Sequence, residues 1–448
     1  MNKYILKVGK KIVVLSSICA LMLNCQNTEK KQIASESTKE ETKTMNTEDL
    51  RPLLTSITSK YDELRPKVIQ PGEGYLKYPY LIPAGFYKQM WDWDGFFMGN
   101  HFVSVGKPEY LKYWALNLIE GIDDEGYASG CATTKGPRLL FGKFAMKPFL
   151  SQGVHFASKG LKDYKWVEPY YEDLKKVLAY REKTQQDEKT GLFFWDNGMQ
   201  SGADNNVAMN YFTDDKRSFL APDASAFQYN EYLAQAQIAK NLGKLEEAGE
   251  YKLKAEQLKK AINDHLWSEE DQIYFTVDRE TGDFYKRVSY SSFVPLMQNI
   301  APQERGQSMI SKYLINSDHM KAKYGFRSLS LQDPDYNNKN IIIPFSNWQG
   351  PVWPIANFIY SIGLKNYGFD EALYWQAETL GNLLLDDINK YNTMHENYHA
   401  DTGAPLAPSH DHVDREGNIV GFISWNLCIQ NLLEGVVDDK WMLLNIEE

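Results

Sequence analysis

Cysteine is scarce in this chain, with four in 448 residues, and histidine is little commoner, with eight. No C-x-x-C pair and no zinc-like spacing occurs, which argues against a disulfide-built scaffold and a structural metal. No ATP or nicotinamide motif appears either, so no cofactor is expected. Basic runs are missing from the body of the chain. With a net charge of −10 there is no cationic stripe for nucleic acid. The apolar run near the N-terminus, "IVVLSSICALML", is too short for a confident membrane span. No Pro/Gly/Ser-rich linker divides residues 50–448, so one large domain is expected there.

What is present begins with the N-terminus. Basic "MNKYILKVGKK", the apolar run and then Cys25 form a signal-peptide layout over 1–24. A cysteine directly after such a run looks like a bacterial lipobox. The expectation is a lipidated Cys25 and a flexible polar tether over 25–49, holding the protein to the cell envelope, at the outer membrane. Plain secretion and a retained anchor are the alternatives. Cys131 and Cys428 could pair in an oxidising compartment or remain as buried thiols.

Helical periodicity dominates the rest. Apolar stripes recur over 108–122, 171–185, 225–243, 244–267, 302–314, 352–368, 370–391 and 424–438. Strand signals are short, as in "QIYFTVD" (272–278). Between the helices lie long polar segments, 71–104, 190–224, 323–351 and 393–423, rich in Gly, Asn, Asp and Trp. Long aperiodic loops are uncommon and often functional. Their spacing among paired helices predicts an all-α fold, an α/α barrel or toroid with a ligand site at one end. An irregular helical solenoid is the alternative.

The loops carry the candidate residues. Trp91, Asp92, Trp93 and Asp94 alternate ring and carboxylate. A ring can stack on the apolar face of a sugar while the neighbouring carboxylate accepts its hydroxyls; equally, the two Trp could be core and an Asp a helix cap. Gln152 has an amide able to donate to and accept from one hydroxyl. The third loop, "WDNGMQSGADNN", holds Asp196, Gln200, Asp204 and Asn205, followed by Arg217 and Asp223. Asn205 and Arg217 are candidate substrate-binding groups, although Arg217 reads equally as a solvent-facing charge and Asp223 as a helix cap. Trp348, Gly350 and Trp353 crowd the fourth loop, stiffened by Pro351 and Pro354. In the fifth, Glu396 sits among His395, His399, His410 and His412. A metal cluster is one reading of these histidines; a general base at Glu396 is the other. Glycoside hydrolysis needs two carboxyls about one bond, one protonated and one ionised.

The blocks "WDWDGFF", "KPFLSQG", "DNGMQSGADNN", "NWQGPVWP" and "HENYHADTG" followed by "GFISWN" stand in one order. Through them residues 75–438 resemble bacterial members of glycoside hydrolase family 63, in the clan shared with family 37 trehalases. The resemblance implies an (α/α)6 barrel with long aromatic-rich active-site loops and inverting hydrolysis of α-linked sugars. It implies an Asp acid in the third loop and Glu396 as base. It places Trp93 and Asp94 in the sugar pocket, matches Gln152 to a family glutamine, and has Trp348, Gly350 and Trp353 line the pocket. The family's "GMDNS" would put the acid at Gln200, which has no titratable proton; a four-residue extension moves it to Asp204, with Asp196, beside Trp195, as the alternative acid. "PAGFY", with Phe86, replaces the trehalase "PGGRF", and "NWQGPVWP" replaces a "QWD" signature. An α-glucosidase-like activity on a di- or oligosaccharide or small α-glycoside is therefore expected. Trehalose and mannosyl- or glucosylglycerate are the alternative substrates, and a carbohydrate-binding surface lipoprotein is the non-enzymatic one.

Overall fold

An apolar residue every third or fourth position gives a helix one stripe to bury, and this pattern accounts for half of the architecture. The computed structural model describes residues 46–83, 87–138, 145–209, 218–341, 346–407, 421–444 and 446. In chain order its α-helices are α1 (Arg51–Leu64), α2 (Asp92–Ser104), α3 (Glu109–Ile119), α4 (Leu150–Leu161), α5 (Tyr171–Gln185), α6 (Gly198–Ser201), α7 (Pro222–Asn241), α8 (Leu245–His265), α9 (Gln303–Met309), α10 (Pro354–Tyr367), α11 (Asp370–Tyr391) and α12 (Cys428–Asp438). A 3-10 segment, Tyr290–Gln298, takes the place of one further helix.

Burial sorts these elements into two rings. Helix α8 buries only Tyr251, Ala255, Leu258 and Ile262, a single stripe. Helix α7 is buried along nearly its whole length, including Gln228, Asn230, Glu231 and Gln235. The inner ring runs α2, α4, α7, Tyr290–Gln298, α10 and α12, each touching the next, and α12 closes back on α2. Helices α1, α3, α5, α8, α9 and α11 alternate with them along the chain. This is the (α/α)6 barrel.

The alternation sets where a site can form. Each outer helix hands the chain to an inner helix through a long loop, so all six such loops arrive at the N-terminal ends of inner helices. That end of a helix presents unpaired backbone N–H groups and a partial positive charge. Short strand pairs stiffen the loops: Met90–Trp91 with Cys131–Thr133, and Asn397–Tyr398 with Pro405–Leu406.

The eight expected stripes correspond to α3, α5 and α7–α12, while α1, α2, α4 and the single turn α6 match none of them. The segment 71–104, read as a loop, contains α2, which buries residues on every side and so has no polar face to reveal its period. The stretch 302–314 is α9 followed by a π-helical turn, Ile310–Leu314. The stretch 424–438 opens with a 3-10 turn, Ser424–Leu427, before α12. "QIYFTVD" divides into strands Ile273–Tyr274 and Thr276–Asp278. Cys131 and Cys428 are separate, buried free thiols, so the pairing alternative is corrected. Cys25, the signal segment and tether residues 25–45 lie outside the described residues, as do Phe86, Arg217, His410 and His412; the last tether residues, 46–49, enter a 3-10 turn, Thr47–Leu50, capped by Asn46. No helix among the described residues is long and apolar enough to cross a membrane.

Candidate active site

The third loop explains its own glycines and amides. Asn197 caps the single turn of α6, its side chain accepting from the Gln200 backbone N at 3.2 Å. The Gln200 side-chain oxygen accepts from the Asp196 backbone N at 2.6 Å, and its Nε2 donates to the Ala145 carbonyl at 3.4 Å. Gln200 is thus a brace inside the turn. Gly202 follows at φ 85°, where a Cβ would stand 2.8 Å from the Trp93 ring. The turn delivers Asp204 to the barrel mouth, half-buried.

A second loop meets it there. Ser346 donates its backbone N to Asp204 Oδ2 at 3.0 Å and its hydroxyl to Glu396 Oε2 at 3.3 Å. One residue therefore holds two carboxyls that lie 192 positions apart in the chain. Asp94, in the first turn of α2, is the third member; its Oδ1 accepts from Ser424 Oγ at 2.6 Å. Glu396 and Asp94 are each only 8% exposed.

Burial dominates the electrostatics. It pushes Glu396 up to about 8, and the neighbouring charges of Asp204 and Asp94 push the same way while the Ser346 hydroxyl opposes. Burial pushes Asp94 up to about 7, against Ser424 and Lys147. Asp204 rises to about 6, again through burial, with the Ser346 amide and Lys147 holding it lower. The Tyr87 phenol is driven well above its ordinary value by burial, then by Glu396, Asp204 and Asp94 in turn, so it faces the same space. Such a cluster holds fewer charges than carboxyls near neutral pH, which is the condition for one acid and one base to coexist.

Several expected sugar contacts are otherwise engaged. Asp92, 1% exposed, accepts from the Trp93 N at 2.6 Å and the Lys147 N at 2.7 Å, and pairs with Lys147 Nζ at 3.2 Å. It positions Lys147 and does not reach for substrate. Gln152 Nε2 donates to the Pro148 and Phe227 carbonyls, tying α4 to α7, so its donor is engaged within the fold. Asn205 is a staple: its Oδ1 accepts from the Trp348 N at 2.5 Å and its Nδ2 donates to Asn347 Oδ1 at 3.3 Å. Trp93, Trp348 and Trp353 are almost wholly buried. Trp348 stacks on Trp353 at 4.1 Å, and Trp93 packs against Phe97, Phe149 and Phe227. At 1–3% exposed, these rings are core packing. Gly350 has φ 149°, and a Cβ there would stand 2.3 Å from the Asn337 carbonyl oxygen; its role is close backbone approach. Trp91 is half-buried and lines a cavity of about 50 Å³ with Lys147, Arg138 and Met199.

His395 and His399 do not converge. His395 Nδ1 meets Asp387 Oδ2 at 2.7 Å, away from Glu396, and His399 Nδ1 accepts from the Asp401 N at 3.2 Å. Among the described residues no group of His, Cys, Asp and Glu could hold a metal ion. Asp196 is exposed and meets Gln185 Nε2 at 3.5 Å. Asp223 takes the Trp195 indole N–H at 3.1 Å within the first turn of α7.

Three groups escaped the sequence reading. Lys147 stood inside the quoted "KPFLSQG" as a lone cation ahead of a proline. Tyr87 was hidden among many aromatics. Ser346 carried no signal, because its importance lies in what two other loops bring to it.

The Asp92–Lys147 pair supports a stability prediction. Asp92→Ala leaves a buried ammonium and two backbone N–H groups without a partner, and should cost about 3–5 kcal/mol in urea denaturation. Asp92→Asn keeps an acceptor and should cost less. Loss of under about 1 kcal/mol for the alanine variant would show that Lys147 finds another partner.

A half-buried Asp204 and a buried Glu396 joined at the N-terminal mouth of a closed (α/α)6 barrel are the pair of carboxyls that a glycoside hydrolase domain needs. The chain belongs to the family described as mannosylglycerate hydrolase MGH1-like glycoside hydrolase domain, whose model matches residues 87–413. It is 26% identical over 152 residues to a mannosylglycerate hydrolase of Rubrobacter radiotolerans, covering 34% of this chain and 33% of that one. It is 20% identical over 374 residues to the periplasmic trehalase of Escherichia coli O1:K1 / APEC, covering 71% and 61%. The chain thus spans about a third of the Rubrobacter protein's length in that match. The crystal structure of a family 63 mannosylglycerate hydrolase from Thermus thermophilus in complex with glucose has a similar fold. Its TM-score is 0.61 at 18% identity, covering 84% of this chain and 98% of that one. Neutral trehalase Nth1 from Saccharomyces cerevisiae has the same fold, with a TM-score of 0.61 at 15% identity, covering 80% and 74%.

Proposed function

We propose that this domain hydrolyses a small α-linked glycoside with inversion, and that its substrate is of the mannosyl- or glucosylglycerate type. The observation that carries the reading is the bridge of Ser346 between Asp204 and Glu396 at the mouth of the barrel. Asp204 gives its proton to the glycosidic oxygen as the bond to the anomeric carbon breaks. Glu396 takes a proton from the water that attacks the opposite face, so the sugar leaves with inverted configuration. Asp94 accepts hydroxyls of the sugar being cleaved. The family match and the printed names of relatives support the substrate class. Arg138 also lines the small cavity shared by Lys147 and its partner Asp92, and a guanidinium there suits an aglycone that bears a carboxylate.

The test is a hydrolysis panel of mannosylglycerate, glucosylglycerate, trehalose and maltose, with the first-formed anomer read by proton NMR. The β-anomer should appear first from an α-glycoside, and a glycerate conjugate should be the best substrate. An α-anomer formed first would refute inversion. Turnover of maltose or trehalose alone would refute the substrate class but leave the chemistry standing.

A further inference from the structure

Glu396 has charged neighbours from several elements. Asp204 faces it from the third loop, Asp94 from α2, and Tyr87 from the segment before α2; Lys147, ahead of α4, acts on Asp204 and Asp94. The ring of the adjacent His395 is turned to Asp387. The backbone around Glu396 is rigidly held. Asp387 Oδ2 accepts from both His395 Nδ1 and the Tyr398 hydroxyl at 2.7 Å, and Tyr398 exchanges backbone bonds with Val352. Against this frame the hydrogen bond described for its carboxylate comes from one neutral donor, the Ser346 hydroxyl.

Ser346 in turn is fixed from the acid's side. Its own amide is committed to Asp204, and the next residues are stapled by Asn205 to the third loop. The serine is itself buried, at 7% exposed. A hydroxyl held in this way favours the charged form of a carboxyl, and its removal favours the neutral one. The amide contact to Asp204 belongs to the backbone and survives any side-chain change.

We propose that Ser346 is a positioning residue that couples the two carboxyls, its hydroxyl selecting the ionised form of Glu396 while its backbone amide orients Asp204. This rests on the acid–base reading above and names the residue that keeps the proton on the right partner. Burial and both neighbouring carboxylates raise Glu396, and the Ser346 hydroxyl opposes them, enlarging the share of the singly protonated pair in which Asp204 carries the proton. Any further rise in Glu396 shrinks that fraction.

The experiment is the pH profile of kcat/KM for wild type, Ser346→Ala and Ser346→Thr on one α-glycoside. The upper limb, which belongs mainly to Glu396, should move up by about half a unit to one unit in the alanine variant. The lower limb should stay, and the plateau should fall about 3–10-fold. Threonine, which keeps the hydroxyl, should restore both. A plateau that falls with neither limb moving would mean a packing role and overturn the inference. Equal movement of both limbs, or no change at all, would also overturn it. These outcomes are separable from failure of the acid–base reading, which would appear as normal turnover in Glu396→Gln whatever Ser346→Ala does.

Discussion

Asp204→Asn should lose about 10³-fold in hydrolysis of an alkyl α-glycoside yet keep most of its rate on the matching α-glycosyl fluoride. Fluoride leaves without protonation, so a missing general acid is bypassed. Glu396→Gln should lose about 10³-fold or more on both substrates, because attacking water needs the base whatever departs. The two variants side by side therefore assign the roles. If Asp204→Asn lost both activities and Glu396→Gln spared the fluoride, the assignment would be reversed. Asp196→Asn is the control within the same loop. Its carboxylate is exposed and meets Gln185, while Asp204 shares Ser346 with Glu396. Asp196→Asn should keep near-wild-type turnover.

The protein should lose stability as pH rises from about 5 to about 9, and Glu396→Gln should blunt that loss. Asp94, Asp204, Asp223, Glu231 and Glu396 are all raised, in each case chiefly by burial. A carboxyl whose folded value lies above its unfolded one binds its proton more tightly in the folded state. Its stabilising effect is complete below the unfolded value and is lost as pH climbs through the folded one. For Glu396 that window runs from the ordinary carboxylate range to about 8. At about 1.4 kcal/mol per pKa unit, ionising this one group costs several kcal/mol. The amide introduced by Glu396→Gln would have no charge to bury and could still accept from Ser346. Urea denaturation at both ends of the range should show the variant equal to wild type when acidic and more stable when alkaline. Parallel curves for the two proteins would mean that Glu396 ionises in the folded state without penalty. A gain of stability on removing the base would place this site among those where function is maintained against folding.

Apolar stripes located the outer helices α3, α5, α8, α9 and α11 and the inner helices α7, α10 and α12, but not the outer helix α1. Three inner elements went unread: α4, and α2 and Tyr290–Gln298, which are buried all round, so that 71–104 reads as a loop. The carboxyls Asp94, Asp204 and Glu396 were named from chemistry and resemblance, and the structure gathers them at one mouth. Aromatics and amides misled the reading. Trp93, Trp348, Gln152 and Asn205 have the right chemistry for sugar, but each is consumed by packing or by backbone hydrogen bonds. A side chain's type declares what it can bind, not what has already bound it.

The sequence by itself determined the helical character and the family, and it named Asp204 and Glu396 as the candidate carboxyls for acid–base chemistry. It also excluded Gln200 as the acid, since an amide carries no titratable proton. Only the tertiary structure decided that Asp92 serves Lys147, that Gln200 braces its own turn, and that Ser346 joins Asp204 to Glu396. Those roles depend on burial and on distances of about 3 Å between loops far apart in the chain. Local pattern does not encode such distances; they exist only once the inner ring closes and brings the six loops to one end.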